Sequence, residues 1–324
     1  MTELAQAEGM FVGLAIGDAL GAPLEFGHDA DDIKGNWDGE MQDHFGTKGF
    51  YTDDTAMALC LADSLLECGG YNSYDVMGKY LKWAAQGYRD AEGKPASDIG
   101  TQTAHAIEYF ANNPSVYKDR PRLTSAGNGG IMRIAPMIIA TADQPIETAI
   151  IMAKISSRET HYSEEADAGA EVFGAMLWQA LHVDQKEDVV DVAKYSTGEV
   201  FDNILARIQP AKELNHDAEM KDVGGYVVDA IKIAVWGFLN FDSFRQGMIE
   251  VIRLGGDADT NAAIYGQLAG AYYSYNAIPE SWLNDLPIGD EIKELTSKLL
   301  KKQPHTVIHT RFEEDGKFFK EFKR

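Results

Sequence analysis

Basic charge is what this chain has least of. Across 324 residues, 29 Lys and Arg stand against 51 Asp and Glu, a formal net charge of -22. That balance argues against a broad nucleic-acid surface, which needs clustered cations to displace counterions from phosphates. A phosphorylated small molecule is still within reach, through backbone amides or bound cations. Cysteine is nearly as scarce. Cys60 and Cys68 are the only two, and they share one expected helix, where a disulfide would have to span about two turns. Two reduced, largely buried thiols are expected. No apolar run approaches the roughly 18 to 20 residues that cross a bilayer, and Met1 to Gln6 lacks a basic start leading into an apolar segment and cleavage site. A cytoplasmic protein with no membrane partner is the expectation. Strand patterning is also missing, as are internal repeats and Ser/Gly/Pro-rich linkers.

What the chain does have is helical periodicity. Hydrophobic residues make up 45% and charged residues 25%, ordinary for a globular protein. Leu4, Ala7, Phe11, Leu14 and Ala15 mark an apolar stripe on a first helix that Pro23 should end. Asp54 to Glu67 follows, closed by Gly69 and Gly70. Further helices are expected near Asp75 to Ala85, Thr101 to Ala111, Ile146 to Ile155, Ser163 to Leu181, Val223 to Phe238, Phe244 to Leu254, Thr260 to Tyr273 and Glu291 to Leu300. One all-α domain over residues 1–303 is the economical reading, with a charged C-terminal extension at 304–324. Gly and Ala crowd GLAIGDALGA and AAIYGQLAGA, a composition that lets helix axes approach closely.

Two acidic clusters open apolar helices. In YTDDTAMALCLADSLL these are Thr52, Asp53, Asp54 and Thr55; in GGDADTNAA they are Asp257, Asp259 and Thr260. Either cluster alone is explained by helix capping. The second also starts like a calcium loop, but Ala262 and Leu268 stand where that loop requires Gly and Glu. Facing each other, two such helix starts would concentrate negative charge that only cations neutralise. All-oxygen ligands without Cys or His favour Mg²⁺ or Mn²⁺ over zinc. A third feature, Gly127, Asn128, Gly129 and Gly130 in TSAGNGGIMRIAPM, can turn consecutive amides toward an anion, with small residues leaving room for it. Its spacing fits neither a phosphate loop nor the dinucleotide fingerprint.

Taken together, GLAIGDALGAPLEF, YTDDTAMAL, SDIGTQT, GNGGIMRIAP, THYSEEADAGA, GYVVDAI and GGDADTNAA resemble the ADP-ribosylglycohydrolase family, in the family's order, from about Met10 to Tyr273. The resemblance implies a single compact all-α, multi-helix domain with a central binuclear metal cleft. It holds two Mg²⁺ or Mn²⁺ ions on Thr52, Asp53, Asp54, Asp257, Asp259 and Thr260. The implied activity is hydrolysis of the glycosidic bond that joins ADP-ribose to an acceptor, with an arginine-modified protein as first expectation and small ADP-ribose conjugates also possible partners. Glu25 and Asp98 match family carboxylates near the reacting ribose, so they are the catalytic candidates. As plain sequence, Glu25 is a loop carboxylate after Pro23 and Asp98 a helix cap. Substrate contacts are implied for Gly127 to Gly130 at the diphosphate, for His161 at the ADP-ribose, and for Tyr226 over adenine or ribose. One position departs from the bacterial pattern, Thr101 standing where Asn is frequent after Asp-Ile-Gly. Two other classes stay open. One is a noncatalytic ADP-ribose-binding or structural protein, as in the family's lens crystallins; the other is a metal-dependent nucleotide phosphohydrolase.

Overall fold

The computed structural model describes residues 4–115, 120–209, 211 and 220–301, so the extension expected at 304–324 lies outside the described residues. Among the described residues there are fifteen α-helices and one two-stranded sheet. The first five helices are α1 (Leu4–Gly21), α2 (Ala30–Asn36), α3 (Asp53–Cys68), α4 (Ser73–Gln86) and α5 (Thr101–Asn112). Then follow α6 (Ala135–Ala140), α7 (Ile146–Arg158), α8 (Glu164–Ala180), α9 (Lys186–Val190) and α10 (Glu199–Ile208). The last five are α11 (Val227–Asn240), α12 (Phe244–Ile252), α13 (Ala258–Tyr273), α14 (Glu280–Asp285) and α15 (Gly289–Lys301). Between α2 and α3, β1 (Asp43–His44) pairs antiparallel with β2 (Thr47–Lys48).

The ten expected helices all form. What the periodicity did not reveal are the short ones, α2, α6, α9, α10 and α14, and the hairpin. Helices α2, α6, α9 and α14 run only five to seven residues, too few turns for a stripe to register, while the ten-residue α10 was overlooked. Both cysteines are free thiols, Cys60 buried and Cys68 half-buried.

Two helices form the axis of the molecule. From Gly9 to Gly21 every residue of α1 is buried, and in α13 burial runs from Ala258 to Ala271. The expected single stripe on α1 is therefore corrected: the helix is enclosed on all sides, and Leu4, counted in the stripe, is 45% exposed. The membrane reading needs the same correction. Leu4–Leu24 is long and apolar enough to span a bilayer, with mean hydropathy 1.2, yet 89% of that window is buried inside the protein. A core helix wrapped by others needs no polar face.

The close approach of α1 and α13 has a steric basis. A Cβ on Gly9, Gly13 or Gly17 would lie 2.2, 2.3 and 2.2 Å from the carbonyl oxygens of Gly270, Gly266 and Ala262. On Gly21 it would meet the Cα of Asp259 at 2.4 Å. Four glycines at four-residue spacing thus put one backbone against the other, and the start of α13 against the end of α1. The α3–α4 pair turns at Gly69, in the left-handed conformation that closes a helix. Helix α15 packs on α1, α3 and α6, while α7 packs chiefly on α8.

Candidate active site

The packing of α1 on α13 puts Asp18 against the start of α3. Asp18 is fully buried, the one charged residue in the buried run Gly9–Gly21 of α1, and accepts hydrogen bonds from four donors. The Thr52 amide reaches its Oδ1 at 2.9 Å and the Thr52 hydroxyl at 2.8 Å. The Thr55 amide and hydroxyl reach Oδ2 at 3.0 and 2.5 Å. An aspartate on another helix therefore caps α3. Thr52, at the N-cap, makes no side-chain bond to its own helix, so the local capping explanation of this cluster fails.

It fails for the second cluster too. Asp257 stands at the N-cap of α13 without capping it; its Oδ2 accepts from Asn128 Nδ2 at 2.8 Å. The two glycines ahead of it have a backbone reason. Gly255 and Gly256 both lie at φ +72°, and a Cβ on Gly256 would sit 2.2 Å from the Val223 carbonyl oxygen. The turn is open only to glycine. It also ties in the first loop, since the Phe26 amide donates to the Gly256 carbonyl at 3.0 Å, bringing Glu25 beside Asp257 and Asp259.

The carboxylates converge. Asp18, Asp54 and Asp259 can each offer an oxygen within 4.8 Å of the others, and so can Glu25, Asp257 and Asp259. Thr52 Oγ1 lies 3.5 Å from Asp259 Oδ2, and Thr260 Oγ1 lies 3.4 Å from Asp54 Oδ2. Burial, and then the charge of neighbours, pushes Asp53, Asp54 and Asp259 well above the usual carboxylate range. Asp18 and Asp257 are raised as well, by burial first and against hydrogen bonds that pull them down. Glu25 is pushed up to about 8 by burial, then by Asp98, Asp257 and Asp18. Buried like charges this close cannot all ionise without counter-charge.

The donor set fits divalent cations. It is all oxygen, and Asp54 Oδ1 is buried with no hydrogen-bond partner among the described residues, an acceptor that a cation would satisfy. Of the six ligands expected from sequence, Thr52, Asp53, Asp54, Asp257, Asp259 and Thr260 all meet here. Asp18 was missed. Its signal was a lone carboxylate inside GLAIGDALGA, a position where an unpaired charge is not tolerated.

Above this floor opens a cleft of about 390 Å³, whose walls include Glu25, Asp53, Asp98, Gly127, Asn128 and His161. Asp98 is exposed and lies ahead of α5; the N-cap is Gly100, so the capping alternative for Asp98 and Ser97 is corrected. Thr101 lines the cleft with Gln102 and Thr103. Gly127 and Gly129 take part, but the space they leave is occupied by His161: a Cβ on either would lie 2.9 or 2.7 Å from its ring. Gly130 faces the core, where a Cβ would meet Ser157 Oγ at 2.1 Å. His161 bonds the Thr160 hydroxyl through Nδ1 at 2.8 Å, and burial, with Arg133 and Arg120, pushes it down to about 3. The ring is neutral at physiological pH.

Arg133, missed by sequence reading, organises this wall. Fully buried, it donates to Tyr80 Oη at 3.0 Å, to Thr160 Oγ1 at 2.6 Å and to the Gly129 carbonyl. Tyr226 takes a different place from the one expected. Its backbone pairs with Gly127, but its hydroxyl accepts from Arg207 at 2.7 Å and donates to Glu165 at 2.8 Å, and it is absent from the cleft lining.

The sequence profile of the ADP-ribosylglycohydrolase family matches residues 1–307. The chain belongs to the ADP-ribosylglycohydrolase family. It is 31% identical over 305 residues to the ADP-ribosylarginine hydrolase Tri1 of Serratia proteamaculans, covering 93% of this chain and 80% of that protein. It is 27% identical over 311 residues to the ADP-ribosyl-[dinitrogen reductase] glycohydrolase of Rhodospirillum rubrum, covering 91% and 95%. A solved structure described as an ADP-ribosylglycohydrolase-related protein complex superposes with a TM-score of 0.76 at 32% identity, covering 93% of this chain and 98% of the other. Membership accounts for the all-α fold.

Proposed function

We propose that this chain is a divalent-metal-dependent hydrolase that releases ADP-ribose from a modified arginine side chain by cleaving the bond at the ribose anomeric carbon. The observation that carries this reading is the floor of the cleft. Carboxylates from α1, α3, α13 and the Glu25 loop share one buried volume, with an orphaned oxygen on Asp54. Similarity to proteins named as ADP-ribosylarginine hydrolases supports the choice of acceptor.

Thr52, Asp53, Asp54, Asp257, Asp259 and Thr260 would hold two Mg²⁺ or Mn²⁺ ions. When bound, such ions neutralise the carboxylates and supply Lewis acidity to oxygens of water or ribose. Asp18 is a positioning residue: its bonds to the Thr52 and Thr55 amides fix where α3 begins, and so where Asp53 and Asp54 point. In the reaction a water oxygen bonds to the anomeric carbon while the carbon–nitrogen bond to the guanidine breaks. The water proton passes to an ionised cleft carboxylate, and the carboxyl so formed delivers it to the leaving nitrogen. Glu25, half-buried beside Asp257, is the group we assign to that proton transfer. Asp98 faces the same space and would stabilise positive charge growing on the ribose. Asn128 orients Asp257, and neutral His161 packs behind the glycine turn, giving the ADP-ribose end a firm wall.

The test is a linkage panel. Arginine-, serine- and nucleotide-linked ADP-ribose, each incubated with Mg²⁺ and with Mn²⁺, should yield intact ADP-ribose from the arginine conjugate. Metal-loaded protein that turns over none of them refutes the hydrolase reading, and release of phosphate or AMP would select phosphohydrolysis.

A further inference from the structure

A second cavity, of about 330 Å³, lies against the first. The two share Glu25, Asp53 and Asp98 in their walls, so the proposed site of bond cleavage stands between them. Beyond those carboxylates the second cavity is lined by His44, Phe45, Phe50, Trp83 and Asp90. Among its described lining residues there is no Lys or Arg.

Three of these rings form a cluster, two on the β1–β2 hairpin and Phe50 two residues beyond it. His44 and Phe45 have centroids 4.2 Å apart, Phe45 and Phe50 5.3 Å, and His44 and Phe50 5.5 Å, all tilted or edge-on. Phe45 is 70% exposed, and its backbone lies at φ +49°, followed by Gly46 at φ +85°. Phe45 and Gly46 form the two-residue loop between the His44–Thr47 pair, a hairpin turn that requires positive φ at both positions, and the turn leaves the Phe45 ring exposed at the mouth of the cavity. On the acidic side, Asp90 is fixed by its own loop: Oδ1 accepts the amides of Glu92 at 2.9 Å and Lys94 at 3.2 Å. Burial lowers the pKa of His44, against the pull of Asp98 and Asp43.

We infer that this second cavity is the acceptor site, and that it takes a planar cation, the guanidinium of the modified side chain. Aromatic faces and carboxylates without a competing cation match a guanidinium in shape and charge. Continuity through Glu25, Asp53 and Asp98 puts such a group on the opposite side of the scissile bond from the ADP-ribose cleft. A hydroxyl acceptor brings no charge and would gain nothing from these walls. The inference rests on the hydrolase reading for its orientation, but the binding of a guanidine can be measured without turnover.

The experiment uses the full chain, with Phe45→Ala and Asp90→Asn as variants and agmatine as the guanidine probe. Agmatine should perturb the His44 ring resonances of wild-type protein and inhibit arginine-linked hydrolysis competitively. Each variant should weaken agmatine binding and lower kcat/KM on ADP-ribosylarginine by about tenfold, mainly through KM. Calorimetric affinity for ADP-ribose and metal content should stay at wild-type values. Turnover of the arginine conjugate with agmatine binding untouched by either variant overturns the acceptor-site inference and leaves the hydrolase reading intact. Equal losses for ADP-ribose and agmatine overturn it as well, since they would report a disturbed fold. Agmatine binding that is lost in both variants, in a protein that cleaves no linkage, supports the cation site and refutes the hydrolase reading alone.

Discussion

Replacing Gly13 by Ala is the most direct test of how the site is assembled. In isolation the change favours a helix by about 1 kcal/mol. Here the new Cβ would lie 2.3 Å from the Gly266 carbonyl oxygen and 3.0 Å from its carbonyl carbon. Both partners are backbone in the middle of long buried helices, so no side-chain rotation relieves the contact, and α1 must move off α13. That puts the steric cost at or above the top of the usual ~1–3 kcal/mol for overpacking. Gly13→Ala should therefore lose about 2 kcal/mol net. Gly35 supplies the control. It lies in α2, and a Cβ there meets nothing within 4 Å, so Gly35→Ala should gain about 0.5 kcal/mol. Urea unfolding followed by circular dichroism, with chelator present, measures both. Opposite shifts of the two midpoints are expected. A Gly13→Ala midpoint at or above wild type would refute the steric account of the α1–α13 contact.

The remaining predictions concern the charged groups. Asp54→Asn and Asp259→Asn should each lose bound metal by elemental analysis while raising the unfolding midpoint of the metal-free protein, because each removes a carboxyl that the metal-free fold must hold either protonated or charged among like charges. Metal-free stability should fall as pH rises from about 4.5 toward 8. Glu25 and its neighbours have raised folded pKa values, so the native state keeps protons that the unfolded chain has already released. Unfolding curves in chelator across that window test this, and stability that rises with pH would contradict it. Arg133→Lys should cost about 3 kcal/mol or more, since one ammonium cannot replace bonds to Tyr80, Thr160 and Gly129 together. Tyr226→Phe should change ADP-ribose affinity by no more than about twofold in calorimetry, its hydroxyl being bound outside the cleft to Arg207 and Glu165.

Much of the site was legible because its chemistry is written in short local strings. YTDDT and GGDADT name six oxygen donors, and helix-forming runs behind each string predict helix starts. GLAIGDALGA and AAIYGQLAGA announce close packing, since only small residues fit where two backbones touch. Less was legible wherever a residue acts at a distance in sequence. Asp18 caps a helix whose N-cap, Thr52, lies 34 positions later, and no local pattern connects the two. Gly127 and Gly129 looked like room for an anion, yet the ring of His161 fills the space beside them. Tyr226 sits one residue past a cleft-lining glycine and still turns its hydroxyl elsewhere. The hairpin that carries Phe45 is too short for any periodic signal.

Residue type and spacing within a few turns were enough for the long helices, the two acidic clusters and the family. Tertiary structure alone decided which carboxylates share a volume, that Glu25 is pushed up beside Asp257, and that a second, aromatic cavity opens across Glu25, Asp53 and Asp98. The reason is physical. Burial and charge coupling depend on distances of a few ångströms between elements far apart in the chain, and those distances are set only when glycine faces such as Gly9 to Gly21 lock one helix against another.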